Sequence, residues 1–209
     1  MNSVHSIAPS CPPSAFPTLL RVDSPQAPRR HRTSREIVRQ RLLDATLRLL
    51  DDHHPDELTS RQIAHAAGEH LRYIVDYYGS QIDLIAATLP VVIAEAMTTV
   101  SPELSKDEPP SALVKLVRLS AWLADHRPNL FIDLANRPLF DQVRTVYEQR
   151  YGLGTETSRL LTQRTLAGIY AFVLHKPLIG VEDGDFAAHV ALNHEIAIAL
   201  SQSPRNSDS

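Results

Sequence analysis

The stretch TSRQIAHAAGEHLRYIVDYY, residues 59–78, constrains the fold more than any other part of the chain. Ile63, Ala64 and Ala67 fall at helical spacing on one face of a short amphipathic segment. Gly68 predicts the exit from that helix, because glycine takes up a left-handed backbone without the penalty a Cβ brings. A second short helical run starts at about Leu71, with Ile74 and Tyr78 on one side and Arg72, Tyr73 and Tyr77 on others. Two short helices joined by a Gly-containing turn fit two readings. One is a helix-turn-helix whose second helix enters a DNA major groove; the other is an ordinary helical hairpin in an all-α core. Thr59 with Gln62 predicts a capping box opening the first of these helices. Ser80 with Asp83 predicts another, opening the helix that follows.

The chain around this stretch reads as helices throughout, with no strand-like alternation long enough to trust. Residues 1–28 hold six prolines and little periodic hydrophobicity, which predicts a disordered tail. Residues 29–41, RRHRTSREIVRQR, carry six Arg against one Glu and form the one strongly basic block. A solvated helix face is the ordinary meaning of such a run. Ahead of a candidate helix-turn-helix it also fits a phosphate-contacting arm, since each neutralised phosphate releases counterions. A first helix is predicted over about 33–52, ended by Pro55, with His54 held out of the helical region by that proline. The His and carboxylates of DDHHPDE show no metal-ligand spacing, so no metal is expected. The single Cys11 excludes an internal disulfide framework. No export signal is evident at residues 1–30, no apolar run reaches membrane-spanning length, and a cytoplasmic location follows as the default. Neither a Gly-rich phosphate loop nor a nucleophile elbow is present, so an enzyme is not expected and no cofactor is implied.

The segments RQRLLDATLRLL (39–50), TSRQIAHAAG (59–68) and YYGSQIDLI (77–85) together resemble the N-terminal domain of the tetracycline-repressor family of bacterial transcription regulators. The likeness covers about residues 35–87. It implies an all-α homodimer: a three-helix DNA-binding head at 29–80, then a helical ligand-binding and dimerisation domain at 81–202, about nine helices in all, with a tail at 203–209. Double-stranded DNA and a small effector are the implied partners. On this basis the DNA-contacting set is Arg29, Arg30, Arg32, Thr59, Arg61, His70, Arg72, Tyr73, Tyr77 and Gln81. The sequence departs from the family pattern at Glu69, His70, Leu71, Val75 and Asp76. From Arg29 to Ile85 there are nine Arg and nine acidic residues, so the head beyond the basic block is net acidic. A head that no longer binds DNA therefore stands as the alternative, within a helical ligand-binding or interaction protein.

Helices are predicted further on at about 81–100, 111–126, 129–136, 139–151, 157–175 and 185–202. Pro90 falls inside the first of them, where it removes one backbone donor and predicts a bend. The last two are apolar around most of their girth, which predicts burial on more than one side. Leu161, Leu166, Ile169, Phe172, Val173, Val190 and Ile198 are the expected dimer interface, a four-helix contact of two copies. Met97, Trp122, His126, Phe131, Tyr147 and Tyr170 are the expected lining of a ligand pocket, and a mostly apolar lining suits a hydrophobic effector.

Overall fold

The computed structural model describes residues 35–99, 108–133, 137–182 and 184–203. The expected tail at 1–28, the arm residues Arg29, Arg30 and Arg32, part of the loop at 101–110, the end of the sixth helix and the tail after 203 lie outside the described residues. Among the described residues there are nine α-helices and no strand. They are α1 (Arg35–Asp52), α2 (Ser60–Ala67), α3 (Arg72–Tyr78), α4 (Gln81–Thr99), α5 (Ser111–His126), α6 (Asn129–Asp133), α7 (Pro138–Tyr151), α8 (Thr155–Ile179) and α9 (Asp185–Gln202).

The local rules read from the sequence act where expected. The Thr59 side chain accepts from the Gln62 N–H at 3.2 Å, and the Gln62 side chain accepts from the Thr59 N–H at 2.8 Å. Ser80 Oγ accepts from the Asp83 N–H at 3.0 Å and donates to its carboxylate at 2.6 Å. Gly68 ends α2 at φ 65°, ψ 30°, in the left-handed region. Between α1 and α2, His54 is extended at φ −70°, ψ 146°, as the following proline requires, and it caps a 3₁₀ turn over Pro55–Glu57.

Helix α4 passes between the two ends of the molecule, touching α1, α3, α5 and α7. It is 19 residues long and apolar enough to cross a membrane by length and composition, which corrects the expectation that no run reaches that size. In this fold it serves as a core helix, with Leu84, Ile85, Leu89, Val92 and Ala96 buried. It continues through Pro90, which lies at an exposed position. One apolar core runs from Leu42, Ile63 and Ile74 of the first three helices into Leu84, Leu89, Leu119 and Leu123 of α4 and α5.

Two smaller clusters hold the C-terminal half. Leu113, Val117, Phe172 and Phe186 join α5, α8 and α9, while Tyr147, Leu153, Leu161 and Ala197 join α7, α8 and α9. The long part of α8 ends where expected, at His175, whose backbone is non-helical (φ −134°, ψ 25°), and a short second helical segment holding Pro177 follows to Ile179. Gly168 lets α9 approach closely: a Cβ there would lie 2.3 Å from His189 Nε2.

Candidate nucleic-acid interface and ligand cavity

Helix α3 is held against the core by Ile74, which is almost fully buried, and by half-buried Tyr73, Tyr77 and Tyr78. Tyr78 donates its hydroxyl to the Arg39 carbonyl at 2.8 Å, tying the end of α3 to α1. Burial raises the Tyr78 pKa above that of an ordinary phenol against the opposing pull of Arg39. Tyr73 and Tyr77 stack face to face, centroids 5.3 Å apart and planes 6° from parallel. The guanidiniums of Arg72 and Arg35 lie 5.6 Å and 5.2 Å from the Tyr73 and Tyr77 rings respectively. The outward face of α3 and of the turn before it is instead His70, Leu71, Arg72, Val75 and Asp76, with Val75 64% exposed.

This arrangement redistributes the expected contact set. Arg61, His70 and Arg72 are exposed. Arg61 makes no ion pair among the described residues, while Arg72 reaches Asp76 one turn on, at 3.5 Å. Thr59 is occupied as a helix cap. Gln81 is already engaged on both sides of its amide, with one N–H left over. Its amide nitrogen donates to the Leu58 carbonyl at 2.6 Å and its oxygen accepts from Ser60 Oγ at 2.8 Å, because α4 must be tied to the loop entering α2. Tyr73 and Tyr77 are stacked on each other and half-buried against the core. Arg35 was missed by sequence reasoning. It belongs to the basic block, and only the fold sets that end of α1 beside the end of α3.

Polar links fix this head to the body. Trp122 donates its indole N–H to Asp56, Arg127 pairs with Asp83, and Lys115 pairs with Asp51 and with Glu95, the latter at 2.9 Å. Burial alone would lower the Lys115 pKa. Hydrogen bonds to Asp51 and Glu95 outweigh it and leave the pKa raised. Trp122 thus belongs to the head–body junction, stacked on His126 at 4.1 Å, and neither lines the apolar cavity described next.

That cavity, about 210 Å³, opens between α4, α5, α6, α7 and α8. Leu89, Ile93, Leu116, Phe131, Leu139, Phe140, Leu166 and Tyr170 give it an apolar wall, with Ser120 and Arg137 as its other lining. Phe131 and Tyr170 are where the sequence reading expected them. Met97 and Tyr147 are not. Tyr147 is buried in the α7–α8–α9 cluster, sharing a hydrogen bond with Thr165 Oγ1 at 2.8 Å, and burial raises its pKa. Leu166, expected at a dimer interface, faces the cavity instead.

Of the other expected interface residues, Leu161 and Phe172 are buried inside the single chain, which removes them as direct contacts. Ile169, Val173 and Val190 are half-buried against the Phe172–Phe186 cluster. Ile198 is exposed, and so are Leu160, Leu192 and Leu200. Leu192 and Leu200 share one face of α9, with Ile196 between them partly buried against the Tyr147–Leu161 cluster. Near it, Arg164 donates to Asn193 Oδ1 at 2.8 Å, while His189 Nε2 and Asn193 Nδ2 are buried without partners. Burial, then Arg164, pushes the His189 pKa below its ordinary value. No grouping of His, Cys, Asp and Glu suited to a metal occurs among the described residues.

No protein-family model matches the sequence. No curated protein matches it significantly. Among solved structures, the crystal structure of a "putative transcriptional regulator" from Rhodococcus sp. RHA1 is similar over 80% of this chain and 97% of that one, with a TM-score of 0.53 and 20% identity. At that identity the likeness is one of fold: this chain shares an all-α architecture with that protein.

Proposed function

We propose that the chain is a transcription regulator of the tetracycline-repressor type. It binds pseudo-palindromic operator DNA as a homodimer, acts as a repressor, and is released by a small apolar ligand. The observation that carries the reading is the α2–turn–α3 unit. Its second helix is anchored by Ile74 and keeps an open outer face, flanked by the exposed cations Arg35, Arg61 and Arg72. A helix so anchored is rigid enough to enter a major groove, where Val75 and Leu71 suit thymine methyl groups. The regulator named among similar folds supports the same reading. Two heads on one dimer address half-sites a helical turn or more apart. Exposed Leu192 and Leu200, on one face of α9, supply a surface for the second copy.

Binding to DNA from the chain's own promoter region, followed against salt concentration, tests this. Native protein is expected to show a steep negative salt slope. Arg61→Ala with Arg72→Ala is expected to weaken binding and flatten that slope by roughly 1 for each phosphate left without its arginine. An unchanged slope in that variant, or no retention of native protein on DNA, would defeat the reading.

One observation favours a second reading, a ligand-binding protein with an inert head. Arg72 pairs with Asp76 and Arg41 pairs with Glu69 at 3.0 Å, so two of the head's cations are already spent on carboxylates. Ligand binding without any DNA retention would select it.

A further inference from the structure

The cavity between α4 and α8 carries one charged group. Arg137 lines it, lies exposed where the cavity meets solvent, and makes no ion pair or side-chain hydrogen bond among the described residues. The other polar lining is a hydroxyl pair, Ser120 Oγ and Tyr170 OH, 2.6 Å apart. Ser120 has a single proton, and its Oγ also lies 2.7 Å from the Leu116 carbonyl one turn back, which can only accept. With the serine proton given to that carbonyl, the Tyr170 hydroxyl donates to Ser120 Oγ; with it given to Tyr170, the tyrosine proton is the free one. In either arrangement Arg137 is the one charged hydrogen-bond donor among the side chains that line this cavity. At about 210 Å³ the space falls below the roughly 300 Å³ at which drug-sized pockets begin.

We infer that this cavity selects an amphipathic monocarboxylate, with a short acyl chain or a single ring among Leu89, Ile93, Phe140 and Leu166 and the carboxylate on the Arg137 guanidinium. A guanidinium fork matches a carboxylate in two parallel hydrogen bonds. A neutral ligand of the same length forgoes them. A cationic one meets Arg137 as a like charge. The inference gives a ligand class to the effector proposed above. It rests on that reading for its regulatory meaning only, since its test contains no DNA.

Isothermal titration calorimetry of the full chain at pH 7 with octanoate, octanol and octylamine is the direct test. Octanoate is expected to bind at least tenfold more tightly than either analogue, the usual margin of a charge-assisted hydrogen bond. Arg137→Gln should bring octanoate to the octanol level and leave octanol unchanged, while Arg137→Lys should keep part of the preference. Arg137 makes no side-chain cap bond to α7, so both variants keep the helix start intact. Leu166→Trp, which fills the cavity, should abolish octanoate binding, with circular dichroism confirming its helix content. Equal binding of octanol and octanoate, no binding of octanoate, or an octanoate preference that survives Arg137→Gln would each overturn the inference. Octanoate binding that fails while DNA retention persists removes the ligand class alone. The reverse result removes the DNA reading and leaves the ligand class standing.

Discussion

The head formed by α1–α3 and the C-terminal pair α8–α9 solve the packing problem differently. In the head, Leu42, Ile63 and Ile74 are almost fully buried, and α2 opens on a reciprocal cap. Its large exposed apolar side chains are few: Ile37, Leu71 and Val75. In the C-terminal pair, Leu160, Leu178, Ile179, Leu192, Ile198 and Leu200 are all exposed, and two buried polar atoms lack partners. The head meets its own packing and hydrogen-bonding needs against α4 and α5. The C-terminal pair leaves apolar surface open, which is the physical reason to expect a second copy there rather than at the head.

Truncation in the head should have the largest effect. Ile74→Ala is expected to lower unfolding free energy by about 2–5 kcal/mol, measured by urea denaturation, because it empties a site that α3 cannot collapse into. A loss below about 1 kcal/mol would mean that α3 is not locked down and would undo the contrast.

Next in size, Leu192→Glu with Leu200→Glu should weaken self-association at least a hundredfold, about 2.7 kcal/mol, in sedimentation equilibrium. Both side chains are exposed, so helix content should not change. Unaltered association would move the contact away from α9.

Smaller again is the crossing of α8 and α9. Gly168→Ala drives a methyl into the His189 ring. The overpacking cost of about 1–3 kcal/mol is offset in part by a gain of about 1 kcal/mol in helix propensity, so a net loss near 1 kcal/mol is expected. Adding His189→Ala should remove most of that penalty, since the clash is with that side chain.

The pH response of the same contact should be the smallest effect. The folded pKa of His189 lies below its ordinary value, so below about pH 6.5 the unfolded chain takes up a proton that the folded chain resists. Stability from this group is therefore complete above that pH and falls as pH drops through the folded pKa. His189→Gln should flatten this part of the stability profile in denaturation series between pH 7 and 5.

Much of the head was legible in advance because its determinants are local. Thr59, Gln62, Gly68, Ser80 and Asp83 act within one helical turn, and their neighbours in sequence are their partners in space. The candidate contacts were less legible. Tyr73 and Tyr77 lie on the α3 segment beside Arg72, but which of them faces out depends on where α1 lies. Gln81 reads as a free polar residue until the Leu58 carbonyl is brought to it. The same limit applies to Trp122, drawn to Asp56 across 66 positions of sequence.

The sequence by itself determined that the chain is helical, where α2 and α4 open and α2 ends, and that the last two helices are too apolar to be solvated all round. Helix period, capping and backbone sterics operate over a few residues, so they leave a readable mark in the order of the amino acids. Only the tertiary structure decided that Phe172 and Leu161 are core while Leu192 and Leu200 face out, that Leu166 turns to a cavity, and that Arg137 stands at its mouth. Those outcomes depend on which faces of distant helices meet. An apolar residue carries the same hydrophobic signature whether its partner is the next helix, a ligand or another copy of the chain.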